Sequence, residues 1–398
     1  AAHYTGLVRE ADSAETSLET INWTRRLVRE SDNFRAVFDR LEIHDPELIL
    51  ATAGKLMILG VNGFWRGFWT FSPPQARRWL ERAIEIGRTI EVPDHARREH
   101  QFNLGVALSA MSMVGYAMGR HEEGATAGAE AIYILRPYGE TWDLAYALGS
   151  YAFNLNFLGR ADEAIEAGRE AREIARLQGD GGRVALSFAV GALGMASMMK
   201  GDLEQAQMYL DEGKAAVEES GTSKGGPQML VLEGHLVAAK GDLERAEAIF
   251  REAQERFEEL GEAIQTIITR SELAHVLRAQ GKWEQALPLY RETILFFQDM
   301  GHEPAVANQL ECFAYIAIAQ EEPEKAARLL GASEDIRERT HNPIQLPWEK
   351  AEYGQAMTQL EAMLGREGRE AGVVEGRSMS LDEAVAYARA GTSAGNQG

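Results

Sequence analysis

The stretch Gly241-Asp-Leu-Glu-Arg-Ala246 decides the fold of this 398-residue chain, because variants of it recur along the sequence. Each copy consists of a first residue, four mostly polar residues and then a small residue. An amphipathic stretch begins at the small residue. Copies that begin with glycine start at Gly119, Gly159, Gly201, Gly241 and Gly281. A sixth copy has Glu321 in place of the glycine, and successive copies are 40, 42, 40, 40 and 40 residues apart. A fixed period of this length indicates a stacked array of similar helical units.

The first residue of each copy, which we call the elbow, is suited to end a helix. Glycine adopts the left-handed conformation without the steric cost of a Cβ, and this conformation closes many helices. The polar residue that follows, such as Asp202 or Asp242, can cap the next helix. The small residue five positions after the elbow, such as Ala246, marks where two helices cross closely. We therefore predict a two-helix hairpin around every copy.

A second row of small residues has the same period. It lies seven positions before each elbow and consists of Ser112, Ala152, Gly194, Gly234, Ala274 and Ala314. A general preference for small residues in helices would not concentrate them at one phase of the repeat. We interpret this row as the contact between the two helices of each hairpin.

The repeat fixes the expected helices. First helices are predicted at 46–70, 95–118, 140–158, 181–199, 227–239, 262–280 and 303–320. Second helices are predicted at 74–91, 121–136, 161–178, 202–219, 242–260, 283–300 and 323–340. After Pro343 and Pro347 interrupt the period, closing helices are predicted at 348–364, 367–376 and 380–390. The expected domains are a linker with a capping helix (1–44), the repeat array (45–340), a helical cap (341–390) and a disordered tail (391–398).

The composition indicates which classes of binding partner and which cellular compartment are expected. The chain has 41 Lys and Arg against 61 Asp and Glu, a net charge of −20, and such a surface repels nucleic acid. No apolar run is long enough to span a membrane. The single cysteine, Cys312, lies in an apolar helical run, which favours a buried thiol in a cytoplasmic protein. The start at Ala1, without Met or a leader, is interpreted as the cut end of a longer protein, although processing would give the same result.

Motifs for catalysis are missing from the sequence. It contains no P-loop, H-E-x-x-H, G-x-S-x-G or G-x-G-x-x-G pattern, and no paired cysteine ligands. Its carboxylates accompany Lys and Arg at helical spacings, which is typical of a solvated helix surface. We expect a non-catalytic protein that needs no metal and no cofactor.

The repeat resembles that of tetratricopeptide arrays, and this resemblance implies that the first helices line a concave groove, with candidate positions at fixed distances before each elbow. The candidates for binding are Met113, Tyr116, Tyr146, Phe153, Asn156, Phe157, Met195, Met198, His235, His275, Arg278 and Tyr315. The aromatic and Met-rich front suits an apolar peptide or small effector. The alternative is that these side chains are core. His235 and His275 occupy equivalent places one repeat apart, so a pH-sensitive pair is a further hypothesis, against two unrelated polar positions.

The period is a longer variant of the 34-residue tetratricopeptide repeat, and the chain resembles the repeat arms of bacterial STAND-class signalling ATPases, notably large LuxR-type and AfsR-like regulators. The resemblance is most specific in Glu30-Ser-Asp-Asn33-Phe-Arg35-Ala36, Arg78-Trp-Leu-Glu-Arg-Ala83, Ala326-Ala-Arg-Leu-Leu-Gly-Ala332 and Glu375-Gly-Arg377 with Ser380 to Ala388. Where relatives carry aromatic anchors, 365–374 is rich in glycine. The resemblance implies an all-α, right-handed superhelical solenoid of about seven tetratricopeptide-like hairpins with helical caps.

The resemblance also implies a function. In that family, the arm senses a protein, peptide or small effector and controls an upstream nucleotide-binding module of the parent protein. The alternative is a stand-alone scaffold that joins protein partners. Homo-oligomerisation stays open under both hypotheses.

Overall fold

Sixteen α-helices make up the regular structure in the described part of the computed structural model, and no strand is present there. The described residues are 6–7, 30, 33, 36, 46–62, 73–219, 226–344 and 347–390. The predicted capping helix at 18–41, the end of the first predicted helix at 63–70 and the tail at 391–398 therefore lie largely or wholly outside them. The prediction of an all-α fold is confirmed.

The helices alternate as first and second members of hairpins. The first helices are α1 (Pro46–Asn62), α3 (Asp94–Ala117), α5 (Trp142–Phe157), α7 (Arg183–Met199), α9 (Gly226–Ala239), α11 (Ala263–Ala279) and α13 (Glu303–Ala319). The second helices are α2 (Pro73–Thr89), α4 (His121–Leu135), α6 (Ala161–Leu177), α8 (Leu203–Glu219), α10 (Leu243–Leu260), α12 (Trp283–Asp299) and α14 (Pro323–Arg339). The chain then forms α15 (Pro347–Arg377) and α16 (Leu381–Arg389). Gly365 interrupts α15 with a left-handed φ of 71°, so the predicted division of this segment into two helices is confirmed.

All six elbows have the predicted left-handed backbone. The five glycines have φ between 67° and 88°, and Glu321 adopts the same conformation with φ 60°. At each elbow the N–H of the following residue donates to the carbonyl five residues before it, as from Asp242 to Val237 at 3.2 Å and from Glu322 to Ala317 at 2.8 Å. This pair of constraints ends the first helix and turns the chain into the second.

The turns between hairpins use a second glycine series that the sequence analysis did not use. It consists of Gly139, Gly179, Gly261 and Gly301, all with positive φ, and His341 continues it with φ 50°. Its members are again about 40 residues apart or a multiple of that period. From Gly119 onward, the described turns of the repeat thus each have a left-handed residue near their centre, whereas the turn between α2 and α3 has none.

The small residues lie where the helices cross closely. A Cβ on Gly115 of α3 would lie 2.6 Å from the Cα of Gly124 in α4. The six small residues seven positions before the elbows are all buried. At Gly234 the nearest neighbour is Phe250 of the same hairpin, as predicted, but at Gly194 it is Leu232 in the first helix of the next hairpin. The row therefore serves contacts both within and between hairpins.

The chain divides into two units, residues 1–266 and 267–398. In unit 1, the second helices from α2 to α8 pack on their own first helix and on the first helix of the next hairpin, α10 packs on α9, and first helices also pack on one another. In unit 2, α14 packs on α13 and α15, and α16 packs on α12, α13 and α14. None of the described helices combines the length and apolar character needed to cross a bilayer.

Candidate functional site

The candidate binding positions in unit 1 divide into core and surface. Met113, Tyr146, Asn156 and Met198 are buried, with no more than 5% of each exposed. A ligand could not touch them in this conformation, so their assignment to a contact surface is corrected to the core. Tyr116, Phe153, Phe157, Met195 and His235 are partly exposed and remain candidates.

Three of the partly exposed residues form one connected group of aromatic rings across α3 and α5. The ring centroid of Tyr116 lies 5.2 Å from that of Phe153 and 5.7 Å from that of Phe157. Phe153 in turn contacts the buried Phe188 of α7 at 4.6 Å. We call Tyr116, Phe153, Phe157 and Phe188 the aromatic cluster. Rings at these separations attract one another beyond the gain from burial, which holds their exposed edges in fixed positions.

A glycine of α5 makes room for one of these rings, because a Cβ on Gly149 would lie 2.8 Å from the ring of Phe188. At Gly191 of α7, in the same repeat position ten residues before the elbow, a Cβ would make an ordinary contact with the ring of Phe153 at 3.4 Å.

Buried asparagines fix the helices that carry the aromatic cluster. The amide of Asn154 donates to the carbonyl of Ser112 at 3.0 Å and so joins α5 to α3. The amide of Asn156 donates to the carbonyl of Ala192 at 2.9 Å and joins α5 to α7. Because a buried amide loses free energy without a partner, these bonds specify the register of the three helices. Asn154 was missed by the sequence analysis, since it lies outside the groove positions.

His121 is a second supporting residue of the candidate site that the sequence analysis missed. Its ring stacks on that of Phe157 at 4.5 Å and 10°, and its Nδ1 lies 3.4 Å from the amide oxygen of Asn154. The side chain is buried at the start of α4, just behind the aromatic cluster. It backs the exposed edge of Phe157 and does not form part of the surface.

The groove positions of unit 1 carry no formal charge. The positions two, three, six, ten and thirteen residues before the elbows Gly119, Gly159, Gly201 and Gly241 contain no Asp, Glu, Lys or Arg. In a chain with a net charge of −20, the partly exposed members of this set are therefore uncharged contact points. An apolar partner docking here would not strip water from an ion, which is the largest cost of burying a surface. Of the candidates in this set, His235 packs edge-on against Phe250 at 5.3 Å.

In unit 2, His275 is part of a buried polar network. Its Nδ1 lies 2.9 Å from the hydroxyl of Tyr290 and 3.3 Å from the thiol of Cys312, and its Nε2 lies 3.4 Å from Ser271 Oγ. These partners suit a neutral ring with its proton on Nε2. Burial lowers the pKa of His275 and raises the pKa of Cys312 to about 11. Cys312 is buried, as predicted, and remains a protonated thiol at neutral pH.

Arg278 and Tyr315, the other two candidates in unit 2, take part in a cluster with α15. The Arg278 guanidinium lies 5.0 Å from the ring centroid of Tyr315 and makes a two-pronged ion pair with Glu352. In addition, the Arg337 guanidinium makes a similar two-pronged ion pair with the Glu311 carboxylate, with N–O distances of 2.5 and 2.9 Å. The sequence analysis placed Arg278 and Tyr315 on the correct helices but did not identify their partners.

The geometry does not assemble a catalytic group from these residues. Cys312 is a buried, protonated thiol, and the partly buried His275 already has its ring nitrogens engaged by Tyr290, Cys312 and Ser271, so neither is placed as a free base or nucleophile. Within the described ranges, no three His, Cys, Asp or Glu side chains are placed to share a metal ion. What unit 1 offers instead is a neutral surface of partly exposed aromatic rings and methionine.

Residues 227–298 match the tetratricopeptide repeat family. Sequence comparison finds no significant relative among curated proteins. Among solved structures, the chain is similar to a Rap protein complexed with competence and sporulation factor, with a TM-score of 0.63 and 13% sequence identity. That likeness covers 94% of this chain and 99% of the other. At this identity it shows the fold, and it agrees with the tetratricopeptide-like architecture described above.

Two further solved structures are similar at a lower level. One is the Rap conjugation gene regulator of plasmid pLS20 in complex with the Phr* peptide, with a TM-score of 0.49, 13% identity and coverage of 86% of this chain and 96% of the other. The second is a STAND protein with a tetratricopeptide repeat sensor from Pyrococcus horikoshii, with a TM-score of 0.44, 16% identity and coverage of 84% and 52%. Neither likeness is strong enough to carry an argument about function.

Proposed function

We propose that this chain is a non-catalytic binding module that recognises an apolar segment of a peptide or protein on the first-helix face of unit 1. The aromatic cluster carries the proposal, because it presents three partly exposed rings on a face without formal charge. Rigid aromatic rings supply large contact area at low entropic cost, and Met195 adds an adaptable neighbour. The similar Rap structure was solved with competence and sporulation factor, which makes a peptide the first ligand class to test.

We further propose that the module is the sensor arm of a larger STAND-type ATPase or transcription regulator. The resemblance at Arg78 to Ala83, Ala326 to Ala332 and Ser380 to Ala388 supports this, whereas the middle of the chain fits any tetratricopeptide scaffold. The coding sequence upstream of Ala1 distinguishes the two. A P-loop followed by a Walker B strand would support the sensor arm, and an initiator Met directly before Ala1 would favour the stand-alone scaffold.

The binding proposal can be tested with a random peptide library displayed on phage. Peptides enriched on the wild-type chain are synthesised with a fluorophore, and their Kd is measured by fluorescence anisotropy. We expect the double variant Phe153→Ala with Phe157→Ala to weaken binding at least tenfold, about 1.4 kcal/mol, because it removes two of the three exposed rings. Enriched peptides should be rich in apolar residues and poor in charge.

Tyr133→Ala is the matched control, because this ring is 81% exposed on the second helix α4, away from the proposed site. It should leave the Kd unchanged. A Phe153→Leu with Phe157→Leu pair, which keeps the core filled, guards against loss of folding in the alanine variant. Peptides that bind wild type and both double variants equally well would move the site away from the aromatic cluster.

A further inference from the structure

The helix α15 packs on α14 and α13, and its side chains reach α11 of unit 2. The first half of α15, from Pro347 to Leu364, brings Glu352 to the Arg278 guanidinium of α11, which lies 74 residues earlier. Arg278 also lies over Tyr315 of α13. One arginine therefore connects α11, α13 and α15, and it is only 12% exposed at its side chain.

A second ion pair supports the same contact from α14. The side chains of Glu311 and Arg337 are only 4% and 11% exposed, so each buried charge needs the other to compensate for its loss of water. Arg337 also donates to the backbone carbonyl of Asn342 at 3.1 Å, on the segment that leads into α15. On α15 itself, the Tyr353 hydroxyl donates to Glu334 of α14. The bonds of Glu352 and Tyr353 hold the first half of α15 against α11 and α14, while Arg337 joins α14 to α13 and to the segment before α15.

Glu349 adds another carboxyl to this contact. It lies one helical turn before Glu352 and is partly buried. The charged and titratable groups that face it are His275 and Glu272 from α11, Glu311 from α13 and Arg337 from α14. The nearby cations are already engaged, Arg337 with Glu311 and Arg278 with Glu352. An ionised Glu349 would therefore add a negative charge without a cation of its own.

We propose that the helix from Pro347 to Leu364 is a pH-sensitive latch on the first-helix face of unit 2, closed while the Glu349 carboxyl is protonated and loosened when it ionises. While closed, the latch covers Arg278 and Tyr315, two of the predicted binding residues. The unit 2 face is thus available to a partner only after release. This inference stands apart from the function proposed for unit 1 and does not depend on it.

The direction of the pH effect follows from proton binding. Burial raises the pKa of Glu349 from 4.5 to about 7, with Arg337 opposing the shift and Glu311 adding to it. In the released, hydrated helix the carboxyl returns to its ordinary pKa, so the closed form binds more protons between these two values. Lowering the pH from 8 to 6 should therefore favour the closed form by up to roughly tenfold. Burial lowers the pKa of His275 from its ordinary value, which makes protonation of this ring less favourable within the window.

Hydrogen exchange measured by mass spectrometry on the full chain tests the latch. Rates at pH 6 and pH 8 are corrected for the intrinsic pH dependence of amide exchange, and peptides from α13 serve as the internal reference. In wild type, protection of 347–364 should be up to roughly tenfold greater at pH 6 than at pH 8. Glu349→Gln, which is isosteric and cannot ionise, should be protected at both pH values, with less than about a twofold difference.

Glu367→Gln is the control, because Glu367 is an exposed residue in the second half of the same helix. It should keep the wild-type pH dependence. Equal protection of 347–364 at the two pH values in wild type would overturn the proposal. So would a Glu349→Gln variant that retains the full wild-type dependence.

Discussion

At the scale of single residues, the elbow at Glu321 is the most informative position of the repeat. Its φ of 60° matches the left-handed glycine elbows, and the closing hydrogen bond from Glu322 to Ala317 is retained at 2.8 Å. A residue with a Cβ is disfavoured in this conformation by about 1–2 kcal/mol. The surrounding helices α13 and α14 therefore impose the elbow on a residue that does not favour it.

Replacing this residue should stabilise the protein. We expect Glu321→Gly to raise the free energy of unfolding by about 1 kcal/mol, because the strain is relieved and Glu321 is an exposed residue. Thermal and urea denaturation followed by circular dichroism measure the change. The reciprocal control is Gly281→Ala, where the new Cβ would meet no atom within 4 Å, so only the backbone penalty remains. A destabilised Glu321→Gly protein, or a stabilised Gly281→Ala protein, would contradict this account of the elbows.

The elbows could be predicted from local sequence rules. The burial and the pairing of individual side chains could not. Glycine followed by a polar residue signals a helix end by itself, and Asp202 and Asp242 do cap their helices, by accepting from Gln205 and Arg245. Met113 and Tyr146 occupy the same phase as exposed residues, and only the packing of three helices distinguishes them. The pairing of Arg278 with Glu352 depends on helices 74 residues apart, which no local pattern specifies.

At the scale of helices, the glycines near the end of α15 permit an unusually close crossing with α14. A Cβ on Gly372 would lie 2.6 Å from the Cβ of Ala327, and one on Gly376 would overlap the carbonyl oxygen of Arg328. On the opposite side, a Cβ on Gly331 would overlap the backbone of Val373. Where the resembling arms carry aromatic anchors, this chain brings two backbones together instead.

Two glycines of α15 should therefore respond in opposite ways to the same substitution. Gly376→Ala should destabilise unit 2 by about 1–3 kcal/mol, because α15 must move away from α14. Gly354→Ala should stabilise it by about 0.5–1 kcal/mol, since Gly354 is exposed within the helix and a Cβ there meets nothing within 4 Å. Denaturation of both variants beside wild type provides the measurement. Equal effects of the two substitutions would mean that the crossing is not the cause.

Helix limits were among the features that the sequence predicted well. The segment predicted at 283–300 is Trp283–Asp299 in the structure, and the one predicted at 95–118 is Asp94–Ala117. An elbow at one end and a capping position at the other leave little freedom for these limits. The role of the glycines in α15 could not be predicted, because a glycine in a helix signals flexibility and close packing alike until its neighbour is known.

At the scale of the whole molecule, charge is distributed by helix type in unit 1. Exposed ion pairs connect the second helices of successive hairpins, as between Arg88 and Glu130 and between Arg176 and Glu212. Each such pair contributes at most about 1 kcal/mol and weakens with salt. Their larger effect is to keep the second-helix side of the unit hydrated, while the partly exposed aromatic rings lie at uncharged positions of the first helices. A surface divided in this way can keep an apolar binding face in solution.

Because each hairpin of unit 1 packs on its neighbours in sequence, damage at one crossing should remain local. Gly115→Ala places a Cβ 2.6 Å from Gly124 and should separate α3 from α4, at a cost of about 1–3 kcal/mol. Hydrogen exchange should show lost protection in α3 and α4, a smaller loss in α1 and α5, and none in α9 and α10. Gly191→Ala, whose Cβ makes only an ordinary contact at 3.4 Å inside α7, should cause no loss of protection in any helix. A linear array transmits a local defect only through its nearest-neighbour interfaces. Uniform loss of protection from α1 to α10 in Gly115→Ala would therefore show that unit 1 unfolds as one cooperative block.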